Sequence, residues 1–173
     1  MKRFYSVTTP IYYVNAEPHI GHTYTTIVVD TIARYHRMAG EETFFLTGTD
    51  EHGEKVAEVA AQRGVSPREF TEEISGTFRS TWEELGMSFD HFIRTTDRDH
   101  VRVVQKILQA VYDAGEIEFR EYEGLYGVGC ERFLTERDMV DGLCRDHERP
   151  PERRAESNYF FKMSRHFDWW MEQ

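Results

Sequence analysis

Two short runs hold side chains suited to chemistry: Pro18-His19-Ile20-Gly21-His22 and Thr47-Gly48-Thr49-Asp50-Glu51-His52-Gly53. The first lies between the strand-like Phe4-Tyr5-Ser6-Val7-Thr8-Thr9 and a helix-like run from His22 to Ala39. A strand entering a helix through a glycine turn gathers unpaired backbone N–H groups at the positive end of the helix dipole, a place suited to phosphate. Imidazoles on either side of the glycine add donors for developing phosphoryl charge, and Gly21 lets a flat ligand approach the backbone closely. The pentapeptide alone is equally compatible with His22 opening a helix and His19 as a solvated loop residue. In the second run, Asp50 falls just past the strand-like Thr43-Phe44-Phe45-Leu46-Thr47, so its carboxylate can face a ligand ammonium or cap a helix starting near Gly53. Glu51 and His52 are readable either as substrate contacts or as supports.

These residues need elements to position them. Residues 1–115 alternate strand-like and helix-like segments, the pattern of a parallel sheet with crossover helices. Gly40 reads as a C-cap, and Val56, Val59 and Ala60 form the apolar side of a helix ended by Gly64. Ser66-Pro67-Arg68-Glu69 is a capping box with proline at the first helical position. It opens a stripe of Phe70, Ile74, Phe78, Trp82 and Leu85 whose spacing predicts a core-facing helix. Phe92-Ile93-Arg94 reads as a strand, and Val101, Val104, Ile107, Leu108 and Val111 as a further helical stripe stopped by Gly115. Beyond it, Ile117, Phe119 and Tyr122 suggest strand, Gly124 a turn, and Cys130 to His147 a loop-rich unit. Arg149 to Arg154 reads as a charged connector before the strand-like Tyr159 to Met163.

The 173 residues suffice for one domain, or one domain with a small insert. Hydrophobic content of 39% beside 30% charged residues reads as soluble and globular, and no apolar run approaches the ~18 residues of a membrane span. With only Cys130 and Cys144, no disulfide framework is implied and a cytoplasmic, reducing home is expected. A net charge of -10 argues against gripping nucleic acid by bulk electrostatics.

The run from Thr9 to His22, with Thr47 to Gly53, resembles the motifs of class I aminoacyl-tRNA synthetases, and in detail those of the bacterial methionyl type. The likeness continues through Phe92-Ile93-Arg94-Thr95-Thr96, Glu123-Gly124-Leu125-Tyr126, Cys130-Glu131-Arg132-Phe133 and Asn158-Tyr159-Phe160-Phe161, covering essentially the whole chain. It implies an α/β fold, the N-terminal half of a Rossmann-like doubly wound parallel sheet, with a connective insert carrying a zinc-knuckle-like unit. Residues 1–115 would form the first half of the nucleotide-binding domain, and 116–173 the start of the insertion, with the knuckle at about 126–148. The second half-fold, its Lys-Met-Ser-Lys-Ser loop and the anticodon-binding domain are absent from this sequence. Lys162-Met163-Ser164-Arg165 mimics that loop by chance, far too early in the chain.

The activity so implied is ATP-dependent conversion of methionine to methionyl-adenylate and transfer to tRNA(Met), with Mg²⁺ arriving on ATP and no membrane partner. By the same resemblance His19 and His22 are catalytic, and with Gly21 and Asn15 they bind ATP. Pro10, Ile11, Tyr13 and Asp50 bind methionine, although Ile11 also suits ordinary core. The family's knuckle presents Cys-x-x-Cys followed by Cys-x-x-His, matched here by Cys130, Cys144 and His147, whereas Gly127 stands at the first cysteine position. Water or Glu131 would complete a weaker site, or the knuckle has lost its metal and is held by Leu125, Phe133 and Leu143; loss is the favoured expectation. Other readings are a synthetase of the same class for another apolar amino acid and a non-catalytic truncated module. A smaller nucleotidyltransferase would need a lysine-bearing second motif that does not fit here. A fragment of this extent is expected to be poorly active alone.

Overall fold

The computed structural model describes residues 3–173, and the chain divides into two compact units between Arg102 and Val103. The first unit holds strands β1 (Phe4–Thr8), β2 (Tyr12–Tyr13), β3 (Glu42–Asp50) and β4 (His91–Arg94) and helices α1 (Ile20–Met38), α2 (Glu54–Arg63) and α3 (Pro67–Glu84). Helix α4 (Arg98–Asp113) crosses the division. The four strands form one parallel sheet centred on β3. Thr8 and His91 both pair Leu46, so β1 and β4 flank β3 on opposite edges. Tyr12 pairs Thr49 opposite Arg94, so β2 continues the β1 edge toward the end of β3.

Moving from β1 to β3 to β4 in one direction, right-handed crossovers put their helices on the same face of the sheet. Side chains alternate across a strand, and Val7, Phe45, Thr47, Thr49 and Phe92 share that helix-covered face. Beneath it Val29 and Ala33 of α1 pack on Phe45, while Tyr12, Val14 and Phe92 join Val56, Ala60, Phe70, Ile74, Phe78 and Trp82 of α2 and α3. The other face carries Phe44 and Asp50, which are not fully buried. Gly48 is required where β4 approaches, because a Cβ there would stand 1.9 Å from the Ile93 carbonyl oxygen.

Local signals explain most boundaries. The Ser66–Glu69 capping box forms in both directions, with Pro67 at the first turn. Gly64 ends α2 with φ 71, and Gly40 follows the α1 cap Ala39 with φ 81. Several expectations are corrected. Helix α1 begins at Ile20, before His22, because His19 caps it. Strand β3 runs on through Asp50, since β2 and β4 both pair its last residues. Leu85 is not core; as the residue capping α3 it is 52% exposed.

The second unit is built on β5 (Ile117–Gly127), which pairs antiparallel with β9 (Glu152–Phe161) and β6 (Arg132–Leu134). A hairpin of β7 (Met139–Val140) and β8 (Leu143–Cys144) follows, and α5 (Phe167–Met171) lies near the end. Gly124 is no turn: it sits mid-strand opposite Arg154, where a Cβ would press on the Phe133 ring at 3.0 Å. The connector read at 149–154 joins β9 from Glu152 onward, because β5 supplies partners all the way from Tyr126. Helix α4 buries none of its residues; Val101, Val104, Ile107 and Leu108 of its stripe are exposed.

Candidate active site and thiol–imidazole group

The loop after β2 delivers His19 to the start of α1 in extended conformation, φ -131 and ψ 174. Its Nδ1 accepts a hydrogen bond from the Gly21 N–H at 3.1 Å, and its own N–H donates to His22 Nδ1 at 3.3 Å. Two histidines thus form a reciprocal capping box, satisfying donors that a helix start leaves unpaired. Their rings stack with centroids 3.7 Å apart. His19 is therefore not a free loop residue but the cap of α1.

The cap dictates the tautomer. An Nδ1 that accepts a backbone N–H carries no proton, so each neutral ring holds its proton on Nε2 and presents a donor away from the helix. Burial and then the neighbouring His19 charge lower the His22 pKa below the ordinary 6.5, which keeps that ring neutral near pH 7. The His22 ring is braced by Tyr12 at 4.9 Å and Phe78 at 5.2 Å between centroids. Tyr12 is fixed in turn through its hydroxyl to Thr26 Oγ1 at 2.9 Å. Gly21 has a local reason as well: a Cβ there would lie 2.9 Å from His19 Cε1 and 3.1 Å from Nδ1. Glycine leaves room for the His19 ring to fold over the helix start. Tyr12 and Thr26 were missed by the sequence reading, which had Phe78 as core alone, although the inward–outward alternation of Ile11 to Val14 signals Tyr12.

That alternation buries Tyr12 and Val14 and leaves Ile11 and Tyr13 at 44% and 58% exposure, so Ile11 is not core. Tyr13 stands in register beside Asp50 on the sheet face away from the helices. The Asp50 carboxylate accepts the His52 N–H at 3.5 Å, and α2 is capped by Gly53 without side-chain help. Asp50 is thus not the cap of α2. Pro10 and Asn15 are exposed beside the same segment.

Glu51 has the opposite environment. Its fully buried carboxylate takes Arg94 Nε at 2.6 Å and Nη2 at 2.9 Å, with further bonds from Thr49 and Thr96. Burial pushes its pKa up, but these bonds outweigh burial and hold it below the ordinary glutamate value. The Thr95 hydroxyl accepts the Glu51 N–H at 2.9 Å. Glu51 is consequently a fastening between the ends of β3 and β4, next to Asp50. Exposed His52 lines, with Glu51, Arg68 and Arg94, a cavity of about 600 Å³.

In the second unit Cys130 Sγ lies 3.2 Å from both Cys144 Sγ and His147 Nδ1, and Cys144 Sγ lies 4.0 Å from that nitrogen. Tetrahedral zinc, at about 2.3 Å from sulfur and 2.0–2.1 Å from nitrogen, separates its donors by roughly 3.5–3.8 Å. Two thiols and an imidazole at these spacings fit three corners of such a site. Among the described residues the group has three members, and Glu131 is not one of them. The Cys130 and His147 hydrogen bonds lower the Cys144 thiol pKa, while the same contact raises that of Cys130. A Cβ on Gly127 would lie 3.0 Å from Leu134 Cδ1. Leu125 and Leu143 are exposed, whereas Tyr126, Gly127, Leu134 and Cys144 are buried. Asp138, bound by Arg132 and Thr135, braces the loop between the cysteines. Lys162 Nζ donates to the Gly115 carbonyl at 2.8 Å, within its own unit.

Residues 5–158 match the family model described as tRNA synthetases class I (M). Over 98% of its length the chain is 49% identical to a methionine–tRNA ligase of Deinococcus radiodurans, and over 96% it is 46% identical to that of Thermotoga maritima. It spans about a quarter of these relatives, 26% and 27% of their lengths. The Mycobacterium tuberculosis methionyl-tRNA synthetase in complex with methionyl-adenylate superimposes with a TM-score of 0.90 at 41% identity, covering 99% of this chain and 34% of that one. No helix among the described residues is long and apolar enough to cross a membrane. A parallel sheet ending at a histidine-capped helix, and sequence identity of this extent, place the chain in the methionyl family of class I tRNA synthetases.

Proposed function

We propose that this chain supplies the first half of the active site of a methionine–tRNA ligase. That enzyme activates methionine with ATP and transfers the methionyl group to tRNA(Met). The observation that carries the reading is the pair of imidazoles whose Nδ1 atoms are occupied by the helix start. Their Nε2–H groups are then fixed donors at the carboxyl end of a parallel sheet, where ligands of such folds bind. Methionine's carboxylate attacks the α-phosphate, and catalysis of such a displacement rests on positioning and on charge stabilisation. His19 and His22 donate to the phosphates as charge builds, without reorganising. Gly21 and Asn15 border the adenosine. Mg²⁺ enters on ATP, held by its phosphates.

Asp50, at the end of β3 beside Tyr13, receives the methionine ammonium, and Pro10, Ile11 and Tyr13 face the thioether. In this reading residues 1–115 are the first half of the nucleotide-binding domain and 116–173 open the connective insertion, with the knuckle at 126–148. Cys130, Cys144 and His147 retain three donors for zinc without the closing ligand, so the metal is held weakly. Pyrophosphate–ATP exchange dependent on methionine tests the function. The full-length protein exchanges and His19→Ala lowers kcat by roughly 10²–10³-fold; exchange with leucine but not methionine would refute the substrate assignment.

A further inference from the structure

The Cys130–Cys144 contact has chemistry of its own, separate from amino-acid activation. The two sulfurs lie 3.2 Å apart although fourteen residues of chain separate them. Their approach is imposed by the fold. The Cys130 N–H donates to the Gly127 carbonyl, holding the turn after β5, while Cys144 closes the β7–β8 hairpin and donates its N–H to the Arg149 carbonyl. Cys130 is half-buried and meets solvent; Cys144 is 4% exposed and lies behind it. A cavity of about 280 Å³ reaches Cys144 and His147 beside Gly127. Among the described residues the group has three side-chain ligands, one short of a closed tetrahedral shell over the thiols.

We propose that Cys130 and Cys144 form a reversible oxidation site, a dithiol that hydroperoxides convert to an intramolecular disulfide. Cys130, the sulfur that meets solvent, is the one a peroxide reaches first: it loses its proton to water and attacks one peroxide oxygen; the O–O bond breaks, giving a sulfenic acid and hydroxide, which takes up that proton. Cys144 then attacks the Cys130 sulfur, the S–O bond breaks, and hydroxide leaves with the Cys144 proton as water. Each sulfur loses one electron, and hydrogen peroxide, gaining two, ends as two waters. Because the disulfide consumes two of the three donors, zinc binding and oxidation exclude each other at this group.

The test treats the full-length protein, reduced and freed of metal, with hydrogen peroxide, followed by alkylation and peptide mass spectrometry. The expected result is loss of both thiols and a monomeric chain with a linked Cys130–Cys144 peptide, reversed by dithiothreitol and prevented by preloaded zinc. Sulfinic acid on Cys130 beside an alkylatable Cys144, or a link between two chains, would overturn the proposal. Cys144→Ser should expose the intermediate as a sulfenic acid trapped by dimedone on Cys130. Wild-type protein that yields as much trapped adduct as the variant would also refute it, and that comparison needs only wild-type folding for its first arm.

Discussion

Replacing Gly21 by alanine should separate stability from catalysis. The added methyl would stand 2.9 Å from His19 Cε1, well inside the ~3.5–4.0 Å of a favourable carbon contact, so the ring must swing off the helix start. Swinging away breaks the bond from the Gly21 N–H to Nδ1, a side-chain cap of a kind worth about 1 kcal/mol. Alanine in place of glycine returns about 0.8–1.0 kcal/mol through helix propensity. The two effects nearly cancel, and Tm should move by only a few degrees. Catalysis has no such offset. Displacing one preorganised donor costs about 2.7–4 kcal/mol of barrier, so kcat for pyrophosphate exchange should fall roughly 10²–10³-fold in the full-length protein. A Gly21→Ala enzyme with wild-type kcat would refute the argument that glycine is there to seat the His19 ring.

Asp50→Asn removes the charge proposed to meet the methionine ammonium and should weaken methionine binding by roughly 10–100-fold, about 1.5–3 kcal/mol, in calorimetry of the full-length protein; a change under twofold would remove Asp50 from that role. Glu51→Gln leaves Arg94 without its carboxylate. Because Arg94 is partly exposed, the loss should lie near the low end of the range for a broken buried pair, about 3 kcal/mol in denaturant unfolding. The Glu51 pKa is depressed in the fold, so its contribution is complete above the ordinary glutamate range. It is lost as pH falls through the lower folded value, and the wild-type advantage over Glu51→Gln should shrink only in acid. Gly127→Cys adds the missing zinc donor after a small shift of the Leu134 side chain; the variant should keep one zinc per chain through dialysis while wild type carries less.

What the sequence disclosed depended on the range of the interaction. Helix α3 was readable because its box, its proline and its stripe lie within one turn or at fixed helical spacing. A helix start at His19–His22 was readable from the strand–glycine–helix order. The histidine capping box was not, since histidine is absent from the usual cap residues and only the fold shows both Nδ1 atoms turned inward. Glu51 remained ambiguous because its partners Arg94, Thr95 and Thr96 lie some forty residues away. Pro150 and Pro151 disguised the start of β9, whose pairing with β5 overrides the local turn signal. The α4 stripe has the spacing of a core helix yet stays exposed among the described residues, which periodicity alone could not reveal.

The helix start fixes His19 and His22 as Nε2–H donors. Nitrogen-15 spectra of the imidazole rings report it directly, since protonated and bare ring nitrogens resonate far apart. In its neutral form each ring should show a protonated Nε2 and a bare Nδ1, and His22 should stay neutral as pH falls past the ordinary 6.5. ATP with methionine should perturb the two Nε2–H signals first. A protonated Nδ1 on either neutral ring would contradict the account, because that nitrogen could no longer accept the backbone N–H on which the site is built.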